Sequence, residues 1–72
     1  MKVSRGRCLL LPLIKAKGWN QAEYARRSGR SKRVISHFCN GRTTMTPEDM
    51  YIATKLLECR WEELYEFIEE GE

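Results

Sequence analysis

Between Ser31 and Gly41 the side chains divide into two sets by type and spacing. Ile35 and Phe38, three apart, face a core together with Val34. Lys32, Arg33, Ser36, His37 and Asn40 fall on the other face of a helix, the last four offset from Lys32 by one, four, five and eight. That face offers two cations, a hydroxyl, an imidazole and an amide, with no acid. Such a set suits the edge of a base pair and the phosphate beside it. The cations continue upstream: Arg26 to Arg33 hold five in eight residues.

Other chemistries fit poorly. There is one histidine, no Ser-His-acid spacing, no glycine-rich phosphate loop and no paired ligands, so no enzyme is expected. Cys8, Cys39 and Cys59 are an odd set without a C-x-x-C pair, which points to reduced thiols rather than a disulfide scaffold. His37 and Cys39 are two apart on a helix and point in different directions, so no metal site is expected, and no cofactor.

Charge is divided along the chain. Residues 1–42 carry eleven Lys or Arg and one acid, Glu23; residues 43–72 carry Lys55 and Arg60 against nine acids. The halves stand at +10 and −7, giving the net +3. Such asymmetry signals a polyanionic partner. At 72 residues the chain reads as a single domain over 1–72, with a core at about 7–68 and an acidic tail at 69–72. No membrane span is expected, since no apolar run exceeds four residues, and no signal peptide, since the apolar part after the basic start ends at Lys15 without a small-residue cleavage site.

Turn signals divide the chain into five short segments, each read as helical, with strand signals almost absent. The first runs from about Arg7 to Lys17 and stops at Gly18; Pro12 sits in its first turn or kinks it. Lys2 to Cys8 are left as extended or helical. The second opens with Asn20 as N-cap and Glu23 completing a capping box, with Trp19 and Tyr24 as a hydrophobic staple, and Gly29 ends it. Ser31 caps the third, which Asn40-Gly41 closes. Only Gly29, Arg30 and Ser31 separate those two helices, which forces a sharp crossing. The fourth has Thr46 as cap, Pro47 at its first position, Glu48 and Asp49 in its first turn, and Met50, Ala53, Thr54 and Leu57 facing inward. The fifth covers Trp61 to Ile68, with Trp61, Leu64, Tyr65 and Ile68 on one face.

The stretch Gln21 to Gly41 resembles the helix-turn-helix of the lambdoid phage repressor and Cro family, the Xre-type regulators. Gln21, Tyr24, Ala25, Gly29, Ser31, Ile35, Ser36, Asn40 and Gly41 carry the pattern, and the similarity extends from about Arg7 to Phe67. The resemblance implies an all-α, compact five-helix lambda-repressor-like DNA-binding domain. It implies a sequence-specific double-stranded DNA-binding transcriptional regulator, a homodimer on a palindromic operator. At 72 residues no separate effector domain is expected, so no small-molecule ligand is expected and the expected outcome is repression by operator occlusion. The setting it implies is the cytoplasm of a bacterium or phage-infected host.

Residue by residue, it makes Gln21 a phosphate contact at the opening of the second helix. Ser31, Lys32 and Arg33 enter the major groove and contact bases, with base choice mainly from Lys32 and Arg33, and Ser36 and His37 follow one turn later, reaching bases or the flanking backbone. Asn40 and Arg42 clamp phosphate. Arg30 replaces a commonly apolar residue and is expected to face out and add a phosphate contact. Arg60 replaces a common Ser or Thr cap. Ile52 and Leu56, off the inner stripe of the fourth segment, and Phe67, off that of the fifth, form an apolar dimer patch or else cover the core. The alternative function is a protein-interaction module, such as an antitoxin or anti-repressor partner, using the acidic half and the aromatic residues near its end.

Overall fold

The computed structural model describes residues 1–70 of the chain. The elements are strand β1 (Lys2–Cys8), helices α1 (Leu10–Ala16), α2 (Gln21–Ser28), α3 (Lys32–Asn40) and α4 (Pro47–Leu57), a 3-10 turn (Trp61–Glu63) and strand β2 (Tyr65–Glu70). The fold is therefore four helices and a small antiparallel sheet, not the expected five-helix all-α domain. Among the described residues no helix is long and apolar enough to cross a membrane.

The helix boundaries follow local chemistry. Leu9 precedes α1, so Pro12 falls in the first turn, where its missing N–H breaks no helical hydrogen bond. Asn20 Oδ1 accepts from the Glu23 N–H at 2.8 Å. The reciprocal half of the expected box is absent among the described contacts, because the Glu23 carboxylate turns to Arg26 and Arg27. Thr46 and Asp49 form the complete box instead: Thr46 Oγ1 accepts from the Asp49 N–H, and Asp49 Oδ2 accepts from the Thr46 N–H, each at 3.2 Å.

Leu10, Ile14, Ile35 and Leu64 are the largest fully buried side chains, and Tyr24, Phe38, Met45, Ala53 and Leu57 pack around them. Burial of each Leu or Ile contributes roughly 1.5–3 kcal/mol. Val34 is turned outward at 36% exposure, contrary to its expected inward place. With Ser31 as cap, Ile35 and Phe38 take the buried stripe and Val34 lies about 100° aside.

The fifth segment is the main departure. Its helical spacing put Trp61 and Ile68 inward, yet they are about half exposed. Arg60 supplies no side-chain cap hydrogen bond, and a run this short pays the cost of helix nucleation with little propagation to offset it. The first segment supplies the competing partner. The Leu9 N–H donates to Leu64 O at 2.7 Å, and beyond it Lys2 pairs with Glu70, Ser4 with Ile68 and Arg5 with Phe67, with an irregularity before Cys8 pairs with Tyr65. Tyr65 and Phe67 then share one side of the ribbon, rings 6.5 Å apart. At the irregularity Gly6 lies against Glu66, whose Oε1 accepts from the Arg7 N–H at 3.1 Å. Of the acidic tail, Glu69 and Glu70 belong to β2; residues 71 and 72 lie outside the described residues.

Candidate nucleic-acid interface

The α2–α3 crossing is set by small residues and caps. Ala25 is buried at the contact. Gly29 takes φ 78°, a left-handed conformation that favours glycine, and its N–H donates to Ala25 O at 3.0 Å. Ser31 Oγ accepts from the Val34 N–H at 3.2 Å and starts α3. The inward grip of Ile35 and Phe38 leaves Lys32 and Arg33 exposed, Ser36 and His37 half-buried, and Asn40 exposed. The Asn40 amide donates to Ser36 Oγ at 3.4 Å, so the two polar groups of successive turns are joined. Gly41, at φ 78°, ends the helix, and the Arg42 N–H returns to His37 O at 2.9 Å, leaving the Arg42 side chain exposed just beyond.

The five cations of Arg26 to Arg33 are not equivalent. Arg26 and Arg27 both donate to Glu23 at 2.6 Å, and the Arg27 guanidinium lies 4.4 Å from the centre of the Trp19 ring. Arg30 is exposed, yet its Nε donates to Asp49 Oδ1 at 2.7 Å, so its contact in the structure is a carboxylate. Among the described residues no carboxylate pairs with Lys32, Arg33 or Arg42. Their charge, unlike that of Arg26, Arg27 and Arg30, is not met by a carboxylate of the described residues.

Two clefts that no acid among the described residues lines flank α3. One, of about 410 Å³, lies at the N-terminus of α2 and brings Lys15, Asn20, Gln21 and Lys32 together with Trp19 and Leu11. Gln21, Lys32 and the first N–H groups of α2 thus converge, and Lys15 joins them. Lys15 is a site residue that the sequence did not single out; only its type, not its place, was visible there. The second cleft, of about 280 Å³, lies at the other end of α3 beside Asn40, Gly41, Thr43 and Thr44, with Arg5 and Arg7 from β1 on its far side. Ser31, Arg33, Ser36 and His37 lie on α3 and its cap between these clefts. A row of donors with a cationic pocket at each end can hydrogen-bond base edges while holding phosphates on either side.

The residues assigned to a dimer patch are not brought together as one. Ile52 is half-buried and lines a small internal space with Tyr24, Arg30 and Asp49. Leu56 is half-buried against the core. Phe67 is exposed and sits edge-on to Trp61, ring centres 5.6 Å apart. Tyr51, at 64% exposure, and Trp61, at 53%, are more exposed than Phe67 and share a shallow apolar hollow with Pro47 and Met50.

The thiols are held in their neutral form. Burial pushes Cys39 up to about 11, with Cys8 nearby adding to it, and also raises Cys8 and Cys59. Burial raises the Tyr24 phenol to about 12. Among the described residues no group of three His, Cys, Asp or Glu side chains is placed to hold a metal ion.

A family model described as helix-turn-helix matches residues 13–64, which covers α2, α3 and α4 and most of α1. No curated protein and no solved structure matches the chain significantly.

Proposed function

The chain belongs to the helix-turn-helix family of the lambda-repressor (Xre) type, a family of DNA-binding transcription regulators, and from this we propose a sequence-specific repressor that acts by occupying its operator. Double-stranded DNA is the partner that the family implies. The reading rests on one observation above all. Among the described residues, the outer face of α3 carries Lys32, Arg33, Ser36, His37 and Asn40 without a carboxylate partner, and it runs between two clefts that no described acid lines. On this reading Arg33, Ser36 and His37, with Ser31 at the cap, meet base edges, and Lys32 turns toward the phosphate held by Gln21 and Lys15. Asn40 and Arg42 hold the phosphate at the other end.

A single such helix reads few base pairs, so the operator is palindromic and two copies bind half-sites about one helical turn apart. The exposed Tyr51, Trp61 and Phe67 supply apolar surface for that pairing. No catalytic step is part of the reading, and bound protein acts by excluding polymerase or a competing regulator.

Selection of binding sites from random duplexes at two salt concentrations tests it. The expected result is an enriched two-fold motif whose affinity falls steeply as salt rises. Enrichment of no sequence, with no retardation of duplex DNA even at low salt, would overturn it. That result would favour a protein-interaction module working through the same exposed aromatic residues.

A further inference from the structure

The recognition helix does not account for the strand that lies beside its far end. We propose that β1 is part of the DNA-binding surface: the cleft between β1 and the turn after α3 takes a backbone phosphate of the duplex, with Arg5 as its principal cation. The proposal rests on the DNA-binding reading and extends it to a segment outside the matched residues 13–64.

The cleft brings several donors together beside Cys8, Cys39 and Tyr65. Arg5 and Arg7 face Asn40, Thr43 and Thr44 across a cleft of about 280 Å³, and no carboxylate among the described residues lines it. A phosphate oxygen accepts several hydrogen bonds, and a guanidinium, two hydroxyls and an amide offer them from both sides. Asn40 already belongs to the α3 end of the interface, so the cleft continues that surface.

Arg5 is fixed in place without being neutralised. Its Nη1 donates to Thr44 Oγ1 at 2.9 Å, and its Cζ lies 5.3 Å from the centre of the Tyr65 ring. Tyr65 is itself tied to the same loop, since its Oη accepts from the Met45 N–H at 3.1 Å. A hydroxyl and a ring face orient the guanidinium but carry no negative charge, and no carboxylate among the described residues pairs with it. Arg7 differs: its Nη2 lies 3.2 Å from Glu66 Oε2, which takes part of its charge. Arg5 is therefore the preorganised cation and Arg7 the secondary one. A guanidinium held in one orientation loses little freedom when it meets a phosphate.

The test compares wild type, Arg5→Gln and Arg5→Lys on the selected operator and on an unrelated duplex, by fluorescence anisotropy over a range of salt. Circular dichroism reports folding of each variant. Arg5→Gln is expected to weaken both duplexes about five- to twenty-fold, leave their ratio unchanged, and reduce the slope of log K against log salt by about 0.9. Arg5→Lys should keep the wild-type slope. A wild-type slope in Arg5→Gln, or a slope reduced equally in Arg5→Lys, would overturn the proposal. If Arg5→Gln fails to fold, neutral methylphosphonate linkages placed singly around the operator read the same contact with wild-type protein. One linkage should weaken binding of wild type, Arg42→Ala and Lys15→Ala alike, which marks a phosphate held at neither of those two sites, and absence of any such position overturns the role of β1. In each of these outcomes wild type still binds its operator, so the proposed function stands; loss of wild-type binding to every duplex instead overturns that function, and this proposal with it.

Discussion

Arg30 Nε lies 2.7 Å from Oδ1 of Asp49, so the turn between α2 and α3 is tied to the first turn of α4. Asp49 is only 7% exposed, and its other oxygen accepts from both the N–H and the hydroxyl of Thr46. One carboxylate thus caps α4 and anchors the helix-turn-helix. A polar clamp occupies the place where the lambda-repressor-like pattern commonly has an apolar contact.

Asp49→Ala should lower stability by about 1–3 kcal/mol, because it removes the cap and leaves Arg30 without its partner. Arg30→Ala should cost less of the ion-pair contribution, since the Arg30 side chain is 43% exposed and screened by water. Urea unfolding measures both. A loss below about 0.5 kcal/mol in Asp49→Ala would place it among ordinary surface changes and remove the clamp from the account.

Arg33→Ala and Arg42→Ala should fail differently. Arg33 stands on the outer face of α3, so its loss should cost about 1–3 kcal/mol at particular base pairs and relax the selected motif. Arg42 follows the helix, so its loss should weaken all duplexes alike. Repeated site selection with each variant distinguishes them, and an unchanged motif with Arg33→Ala refutes the base-reading role.

Lys15→Ala should weaken every duplex and reduce the salt slope by about 0.9, the loss of one phosphate contact. Gln21→Ala should weaken binding while leaving the slope near that of wild type, because it removes no charge. The pair tests whether the cleft at the start of α2 meets the DNA backbone. Unaltered affinity in both would show that it does not.

Acid should loosen the fold through two carboxylates. Glu23 is held below the ordinary glutamate value by its hydrogen bonds to Arg26 and then Arg27, and Glu66 by the N–H and then the guanidinium of Arg7. In both, the unfolded chain takes up its proton at higher pH than the folded one. Their contribution is present above the unfolded value, near 4.5, and is lost as pH falls through the lowered folded values. Glu23→Gln and Glu66→Gln should each flatten the fall of melting temperature with acid. A slope identical to wild type in both would dismiss these pairs as contributors.

The thiols should be slow. With Cys39 raised to about 11 and the other two also raised, little thiolate exists at neutral pH. Alkylation by iodoacetamide at pH 7 should be much slower in the folded protein than in urea. Equal rates would contradict the burial that raises them.

The central helices were legible because their signals are local. Asn20, Ser31 and Thr46 each cap the helix that follows, and Gly29 and Gly41 take the left-handed turns, because a cap or a turn depends on a few neighbouring residues. The ends of the chain were not legible in the same way. Trp61, Leu64, Tyr65 and Ile68 fit helical spacing, but Tyr65 and Phe67 equally fit alternation, and only pairing with Lys2–Cys8, some sixty residues away, decides between them. Long-range partners also explain Arg30 and Glu23. Which acid a given arginine meets depends on the fold, so five adjacent cations looked alike although only Lys32 and Arg33 lack a carboxylate partner among the described residues. The clefts carrying Lys15 and Arg5 join residues from separate elements and leave no pattern in the sequence.

Position 6 works as a vernier for the ribbon. A Cβ added to Gly6 would stand 2.7 Å from Glu66 Oε1 and 2.9 Å from Glu66 Cβ, too near for either to remain. The Glu66 side chain, whose carboxylate accepts from the Arg7 N–H, or the strand itself would have to shift, one residue from the Arg5 that reaches Thr44. A single hydrogen in place of a methyl therefore lets the two strands close beside the guanidinium that reaches the loop after α3.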